Sequence, residues 1–400
     1  MSFAEIARRF GTPAYVVDED AVRLRCREYR HALPTATVAY AGKAFLTQAM
    51  ASWVAEEGLS LDVCSGGELA LARSVGFPLS RIIFHGNAKT PAELREAVGV
   101  GRIVIDNVAE IHRLAALVPL GERQDVYLRV TPGIEAGAHA AIRTGSEAQK
   151  FGIPLAELPD AVARVLSQPE LRLTGLHCHI GSQITSVAPF EAAARVMVDQ
   201  LAMVREEFAT ELPELDLGGG HGVAYLDDEH GLDLGHFGAV VPKVVAERCR
   251  ALGLAQPHLV VEPGRAIVAA AGVTLYRVIS VKRQGGRTFV AVDGGMSDNP
   301  RPALYGARYS VSVVGRSGAP ATIVGRHCEA GDVIAEGVPA ADARPGDLVV
   351  VRVTGAYHHA MGSSYNLTCR PPVVAVSGGA ARLIVRREEP FELLRREVGR

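Results

Sequence analysis

No uncharged apolar run in the 400 residues approaches the roughly 18 needed to cross a bilayer, so no membrane span is expected. No basic block occurs either. Lys+Arg 42 against Asp+Glu 44 leaves a formal charge of −2, which argues against nucleic acid or an anionic membrane surface as partner. Cysteine is sparse. Cys26, Cys64, Cys178, Cys249, Cys328 and Cys369 stand tens of residues apart, a spacing wrong for a zinc finger or a disulfide framework and suited to reduced cytosolic thiols. The start, MSFAEIARRF, lacks an apolar h-region and reads as an amphipathic helix, so no secretory leader is expected. There is no low-complexity linker and no repeat beyond a βα unit. With 48% hydrophobic and 22% charged residues the chain is neither disordered nor fibrous. Its length exceeds what one core usually fills. The expectation is a soluble cytoplasmic protein of two domains.

Short apolar or β-branched runs alternate with helical stretches from residue 36 onward. Strands are predicted at Ala36–Ala41, Leu59–Val63, Arg81–His85, Arg102–Asp106, Asp125–Thr131, Arg172–His179, Glu214–Leu217 and His258–Glu262. Helices are predicted between them, among others at Leu46–Glu57, Pro189–Phe208 and Val240–Ala251. Eight strand–helix pairs over about 230 residues match a (β/α)₈ barrel of TIM type. A doubly wound open sheet is the rival, but no dinucleotide fingerprint follows the first strand. After Arg265 the helical period fades and strand-like runs take over, from Val273–Lys282 to Ala381–Arg386, with Ala14–Val17 as a further candidate. The predicted division is a barrel over residues 20–268 and a β-rich, sandwich- or barrel-like domain over 1–19 and 269–400.

Function in a parallel barrel collects where strands end, because the βα loops converge there. Here the strand ends carry Lys43, Asp62, His85, Asp106, His177 and His179, the triplet Gly218-Gly219-Gly220, and Glu262-Pro263-Gly264-Arg265. A glycine triplet lets backbone N–H groups approach an anion, and Ser182 and Arg265 add a hydroxyl and a fork of donors. Alone, such a triplet is more often a flexible turn. Lys43 sits in Tyr40-Ala41-Gly42-Lys43-Ala44-Phe45-Leu46 without another charge, a setting in which a lysine amine can attack a carbonyl. Lysine, phosphate cradle and carboxylate together are what pyridoxal phosphate requires. His177 and His179, two apart in a strand, are predicted to face one side and form the rival metal pair. A metal wants further ligands, and the remaining histidines form no second pair. No metal is therefore expected, with His179 stacked on a flat ring and His177 a packed neighbour.

These residues stand within longer strings: YAGKA (40–44), LDVCSGGEL (61–69), HCHIGSQI (177–184), EPGR (262–265), VDGGMSDNPRPALYGARY (292–309), HCEAGD (327–332) and TGAY (354–357). From about Phe10 to Arg387 the chain resembles the alanine-racemase-like, fold-type III pyridoxal-phosphate decarboxylases, and among them the diaminopimelate decarboxylases of actinobacterial type. The resemblance implies pyridoxal 5'-phosphate as cofactor, Lys43 as the lysine that holds it, His179 stacked on its ring and Glu262 facing the pyridine nitrogen. It implies Ser182, Gly218, Gly219, Gly220, Pro263, Gly264, Arg265 and Tyr357 as cofactor contacts. Arg265, Arg301 and Tyr305 correspond to a clamp on the distal carboxylate of the substrate, Glu329 to the group reading its distal amine, and Tyr357 to a substrate contact. Cys328 corresponds to the proton donor, and the family forms a homodimer in which Cys328 and Glu329 serve the partner's site. Outside those strings, Cys328 reads as a small hydrophobe and Arg301 as a loop charge. Two arginines with a tyrosine and a glutamate suit a zwitterionic far end.

The implied reaction is decarboxylation of meso-2,6-diaminopimelate to L-lysine and carbon dioxide. The departures lie near the expected mouth: Phe45 where asparagine is usual in the wider group, His221 after the glycine triplet, a short stretch over Tyr225–His236, and Tyr357-His358-His359-Ala360-Met361-Gly362. They leave open a decarboxylase of another free or carrier-bound amino acid. A racemase sharing the fold would want a catalytic tyrosine where this chain has Cys328. A regulator without turnover would be a barrel alone.

Overall fold

The structure is a computed structural model and describes residues 1–134 and 150–399. The chain divides into two compact units. One comprises Arg25–Val223 and His230–Ala266, the other Met1–Leu24, Ala224–Glu229 and Ile267–Arg400. The short segment Ala224–Glu229 thus leaves the first unit's stretch of sequence and packs with the second.

The first unit is a closed parallel barrel. Its eight strands are Thr37–Ala41, Ser60–Val63, Ile82–Phe84, Arg102–Ile105, Gln124–Thr131, Leu171–Cys178, Glu214–Asp216 and His258–Val261. Each pairs in parallel with its neighbours, Ile103 opposite Val126 and Val260 opposite Thr37 completing the ring. Strands such as Ile82–Phe84 are buried on every residue, as expected where helices cover a parallel sheet. Ala39, Ile83, Val104, Tyr127 and Val260 pack together within it. The strand starts are tied by polar contacts: Arg102 donates two 2.7 Å bonds to the Glu214 carboxylate, which also accepts from Tyr127 at 3.0 Å. That frees the opposite end for chemistry. The helix over Leu234–Leu252 starts earlier than the Val240 predicted, running across Pro242. A helix over Glu19–Ala32, absent from the sequence reading, precedes the first strand.

The second unit is a nine-stranded mixed sheet. Its long strand Gly272–Gln284 pairs antiparallel with Ala14–Asp18, Arg287–Val292 and Leu348–Arg352, so the sheet branches there. Ala14–Asp18 also lies parallel to Val373–Ser377, confirming the strand expected at Ala14–Val17. The helix Phe3–Phe10, closed by a capping box of Ser2 and Glu5, packs Ile6 and Ala7 against Val16, Leu275, Val350 and Val374. Strands Val311–Val313 and Val333–Pro339 were not anticipated. No helix among the described residues is long and apolar enough to cross a membrane.

Candidate active site

Lys43 lies in a single 3₁₀ turn, Gly42–Ala44, directly after the first barrel strand. Gly42 and Ala44 are buried and Lys43 is exposed, so the backbone is fixed while the amine projects. Its Nζ lies 2.9 Å from Oδ2 of Asp62, a buried residue of the second strand. The ion pair places an accessible amine against a fixed anion.

Glu262, at the end of the eighth strand, is buried and held from two sides. His85 Nε2 lies 2.6 Å from Oε1, and His177 Nε2 lies 3.2 Å from Oε2. Burial alone would push this carboxyl up, but His85 and His177 outweigh it and hold Glu262 well below the usual carboxylate range. Burial lowers His177 to about 3, so its imidazole is neutral and donates Nε2–H to the carboxylate. Behind Glu262, burial and the Glu262 charge push Asp216 well above its ordinary value. Asp216 Oδ1 accepts the Gly218 N–H at 2.8 Å. The pair carries one negative charge, on Glu262.

His177 is therefore more than a packed neighbour. It shares Glu262 with His85, a residue that sequence reasoning placed at a strand end without a role. These three ligand-type groups lie within 4.8 Å of one another. Ligands about 2 Å from a tetrahedral zinc stand about 3.3 Å apart, whereas His85 and Glu262 meet at 2.6 Å, a hydrogen-bond length. His177 and His179 do not form the pair considered from spacing. His179 lies beyond the strand end at Cys178, and its Nδ1 accepts the Gly219 N–H at 3.2 Å. Burial, then the Lys43 charge, hold His179 neutral.

The glycine triplet is sterically required. A Cβ on Gly219 would overlap the Glu262 carbonyl oxygen, and one on Gly220, at φ +92°, would overlap that of Gly181. These close approaches make a cradle of backbone. Arg265 Nη2 donates to Ser182 Oγ at 3.1 Å, joining the predicted anion contacts. Pro263 accepts the Ala41 N–H at 3.2 Å, and Gly264 packs on Ala41 and Ala44 beside the lysine turn. Amine, buried anion, neutral imidazole and anion cradle all belong to the barrel's strand ends. The donor set fits pyridoxal phosphate: an amine for its aldehyde, a cradle for its phosphate and a carboxylate for its ring nitrogen.

His221 is buried among aromatic rings. Its Nδ1 is 2.9 Å from the Tyr29 hydroxyl, and the two rings stack at 5.7 Å and 11°. Phe190 and Phe237 stand 5.1 and 4.6 Å away. It is a core residue of the barrel unit.

The remaining predicted residues belong to the second unit. Arg301 opens a short helix, Arg301–Tyr305, and is buried. Its Nη1 donates to the Tyr225 hydroxyl at 2.8 Å. The rings of Tyr225, Tyr305 and Tyr357 lie 5.4, 5.9 and 5.9 Å from its guanidinium carbon. Its partners among the described residues are phenols, and no carboxylate is one of them. The preceding loop is fixed by Asp298, which accepts from Tyr276 at 2.7 Å and from the Gly295 N–H at 3.1 Å. Tyr357 is held at φ +62°, the sparsely populated left-handed region, as is Gln183 beside Ser182. Cys328 and Glu329 are exposed on a different loop, which Asp332 braces by accepting the N–H groups of Met296 at 2.6 Å and His327 at 2.9 Å. Tyr225, whose hydroxyl accepts from Arg301, is marked by the sequence only as the start of a shortened stretch.

Fold and site together define a barrel enzyme that pairs a reactive lysine with an anion cradle and a charged acid. Residues 19–269 match the family model described as pyridoxal-dependent decarboxylase, pyridoxal binding domain. The chain is 56% identical over 98% of its length, and 90% of the relative's, to a diaminopimelate decarboxylase of Actinosynnema pretiosum subsp. auranticum. It is 48% identical to that of Mycobacterium tuberculosis, with 98% and 93% covered. The crystal structure of diaminopimelate decarboxylase from M. jannaschii in complex with L-lysine superposes with a TM-score of 0.91 at 30% identity, covering 99% of this chain and 94% of that one. The chain belongs to the pyridoxal-dependent decarboxylases and, within them, to the diaminopimelate decarboxylase family.

Proposed function

We propose that the protein converts meso-2,6-diaminopimelate to L-lysine and carbon dioxide with pyridoxal phosphate bound at the barrel's strand ends. The carrying observation is Arg301, a buried guanidinium surrounded by phenols, which leaves its charge for a carboxylate brought by the substrate. Family membership and the L-lysine held by the M. jannaschii enzyme support the same reading. Bound there, pyridoxal phosphate would supply an electron sink for the pair left as carbon dioxide departs. The chain's residues do the rest. Lys43 offers the amine, with Asp62 as its counter-ion. Glu262, kept anionic by His85 and His177, would face the ring nitrogen and favour its protonated form. His179 would stack on the ring. Ser182, the triplet Gly218–Gly220 and Arg265 would hold the phosphate, the turn through Pro263 and Gly264 shaping that end, with Tyr357 as a further contact. Arg301 and Tyr305, with Arg265, hold the distal carboxylate.

Cys328 delivers the proton to the carbon that lost its carboxylate, and Glu329 reads the distal amine. Both are exposed in the single chain, which supports a homodimer in which each serves the partner's site. The location proposed is the cytoplasm. The test is a mass balance: holoenzyme with meso-diaminopimelate should release carbon dioxide and L-lysine in equal amounts, and should leave substrates lacking the distal carboxylate untouched. Preferred turnover of such a truncated amino acid would overturn the substrate assignment.

A further inference from the structure

The segment Ala224–Glu229 follows the glycine triplet in sequence yet packs with the β-rich unit. Its own bonds give it shape. The Glu229 carboxylate accepts the N–H groups of Tyr225 at 2.8 Å and Leu226 at 3.3 Å, and the Glu229 N–H returns to the Leu226 carbonyl at 3.2 Å. Two further contacts anchor it: Ser310 Oγ donates to the Tyr225 carbonyl at 3.4 Å, and the Tyr225 ring stands edge-on to Tyr309 at 5.2 Å. Tyr309 in turn meets His358 edge-on at 5.0 Å. A self-braced turn, docked through an aromatic chain, thus delivers one phenol to Arg301 Nη1.

Resting on the reading that Arg301 holds the distal carboxylate, we propose that Tyr225 is the positioning residue of that clamp and so a determinant of substrate specificity. A guanidinium is planar with five N–H donors. The Tyr225 oxygen takes one of them and fixes the plane, while the flanking rings limit its tilt. A neutral phenol does this without cancelling the charge, whereas a carboxylate in its place would neutralise the arginine. The guanidinium is therefore oriented before substrate arrives, and the ordering cost is met by the fold. Tyr225 acts through Arg301.

Tyr225→Phe keeps the ring on Tyr309 and deletes the acceptor. In the holoenzyme it should raise KM for meso-diaminopimelate roughly 10-fold or more, the scale of a hydrogen bond to a charged group, with kcat within about 2-fold and the visible cofactor band unchanged. L-lysine retains the carboxylate that survives the reaction, and calorimetry should show it binding the variant roughly 10-fold more weakly. Cadaverine, which has no carboxylate, should bind both proteins alike. On an Arg301→Ala background the same substitution should add less than about 2-fold. Unchanged KM and lysine affinity, an equal penalty on cadaverine, or an undiminished penalty on the Arg301→Ala background would each overturn the positioning role. A wild-type protein that neither turns over diaminopimelate nor binds L-lysine would remove the carboxylate clamp itself, and this inference with it, before any variant is compared.

Discussion

Replacing His221 by leucine should make the barrel less sensitive to acid. Burial first, and then the nearby Arg25 charge, push the His221 imidazole down to about 3. An unfolded histidine titrates near 6.5. The folded-state value is the lower one, so below pH 6.5 the unfolded chain binds the extra proton. The stability this neutral histidine contributes is full above that pH and is lost as pH falls toward 3. At pH 5 the unfolded state has gained about 1.5 units of protonation advantage, or about 2 kcal/mol at 1.36 kcal/mol per unit. His221→Leu deletes that term. At pH 7.5 the variant should be weaker, because the Tyr29 hydroxyl loses its 2.9 Å partner, a cost of about 1–3 kcal/mol that leucine packing against Phe190 and Phe237 partly offsets. From pH 7.5 to 5.0 the wild type should then lose about 2 kcal/mol more than the variant. Urea unfolding at the two pH values reads this directly. Trp53, the sole tryptophan, is buried on the helix Gln48–Glu56 of the same unit and reports barrel unfolding by fluorescence. Equal losses in the two proteins would mean that His221 is not held neutral by burial.

Lys43→Ala should abolish the borohydride-trapped cofactor adduct in mass spectra of the reduced protein, and an adduct that persists would reassign the lysine. Arg301→Ala should lower kcat/KM for meso-diaminopimelate roughly 30-fold or more while sparing the visible band, because the proposed clamp would lose a desolvated partner of the substrate carboxylate. Arg265→Ala, bonded to Ser182 in the anion cradle, should damage cofactor retention as well as turnover. Mixed Lys43→Ala and Cys328→Ala proteins should regain part of the activity once subunits exchange, and exchange without recovery would count against sites shared across a dimer.

The barrel was legible because each strand is a short apolar run closed by a chemically distinctive residue, and a parallel strand buried on both faces tolerates little else. Ile82–Phe84 and Arg102–Ile105 lie within the predicted ranges. What escaped the reading has identifiable causes. The helix Glu19–Ala32 carries Val22, Cys26 and Tyr29 on a buried stripe at helical spacing, but charges on its other face outnumber them. Val333–Pro339 is interrupted by Glu336, Gly337 and Pro339 and is only partly buried. Val311–Val313 is too short to show a period. Tyr225 was illegible for a different reason: its partner Arg301 lies far along the chain, and only folding joins them.

The acid at the barrel mouth shows most sharply how far residue spacing carries. His85, His177 and Glu262 end three different strands, so register alone predicts that they line one mouth. It does not predict that both imidazoles turn onto one carboxylate. The period-2 rule put His177 and His179 on one side, but it lapses at Cys178, where the strand stops. One histidine then meets Glu262 and the other the Gly219 N–H. The charge on Glu262 depends on that divergence. A buried carboxyl with Asp216 behind it would ordinarily keep its proton, and a neutral acid could not hold a ring nitrogen protonated. Hydrogen bonds from His85 and His177 reverse the balance on Glu262 and leave the proton of the acidic pair on Asp216. The charge on Glu262 is thus set by His85 and His177, one on each carboxylate oxygen.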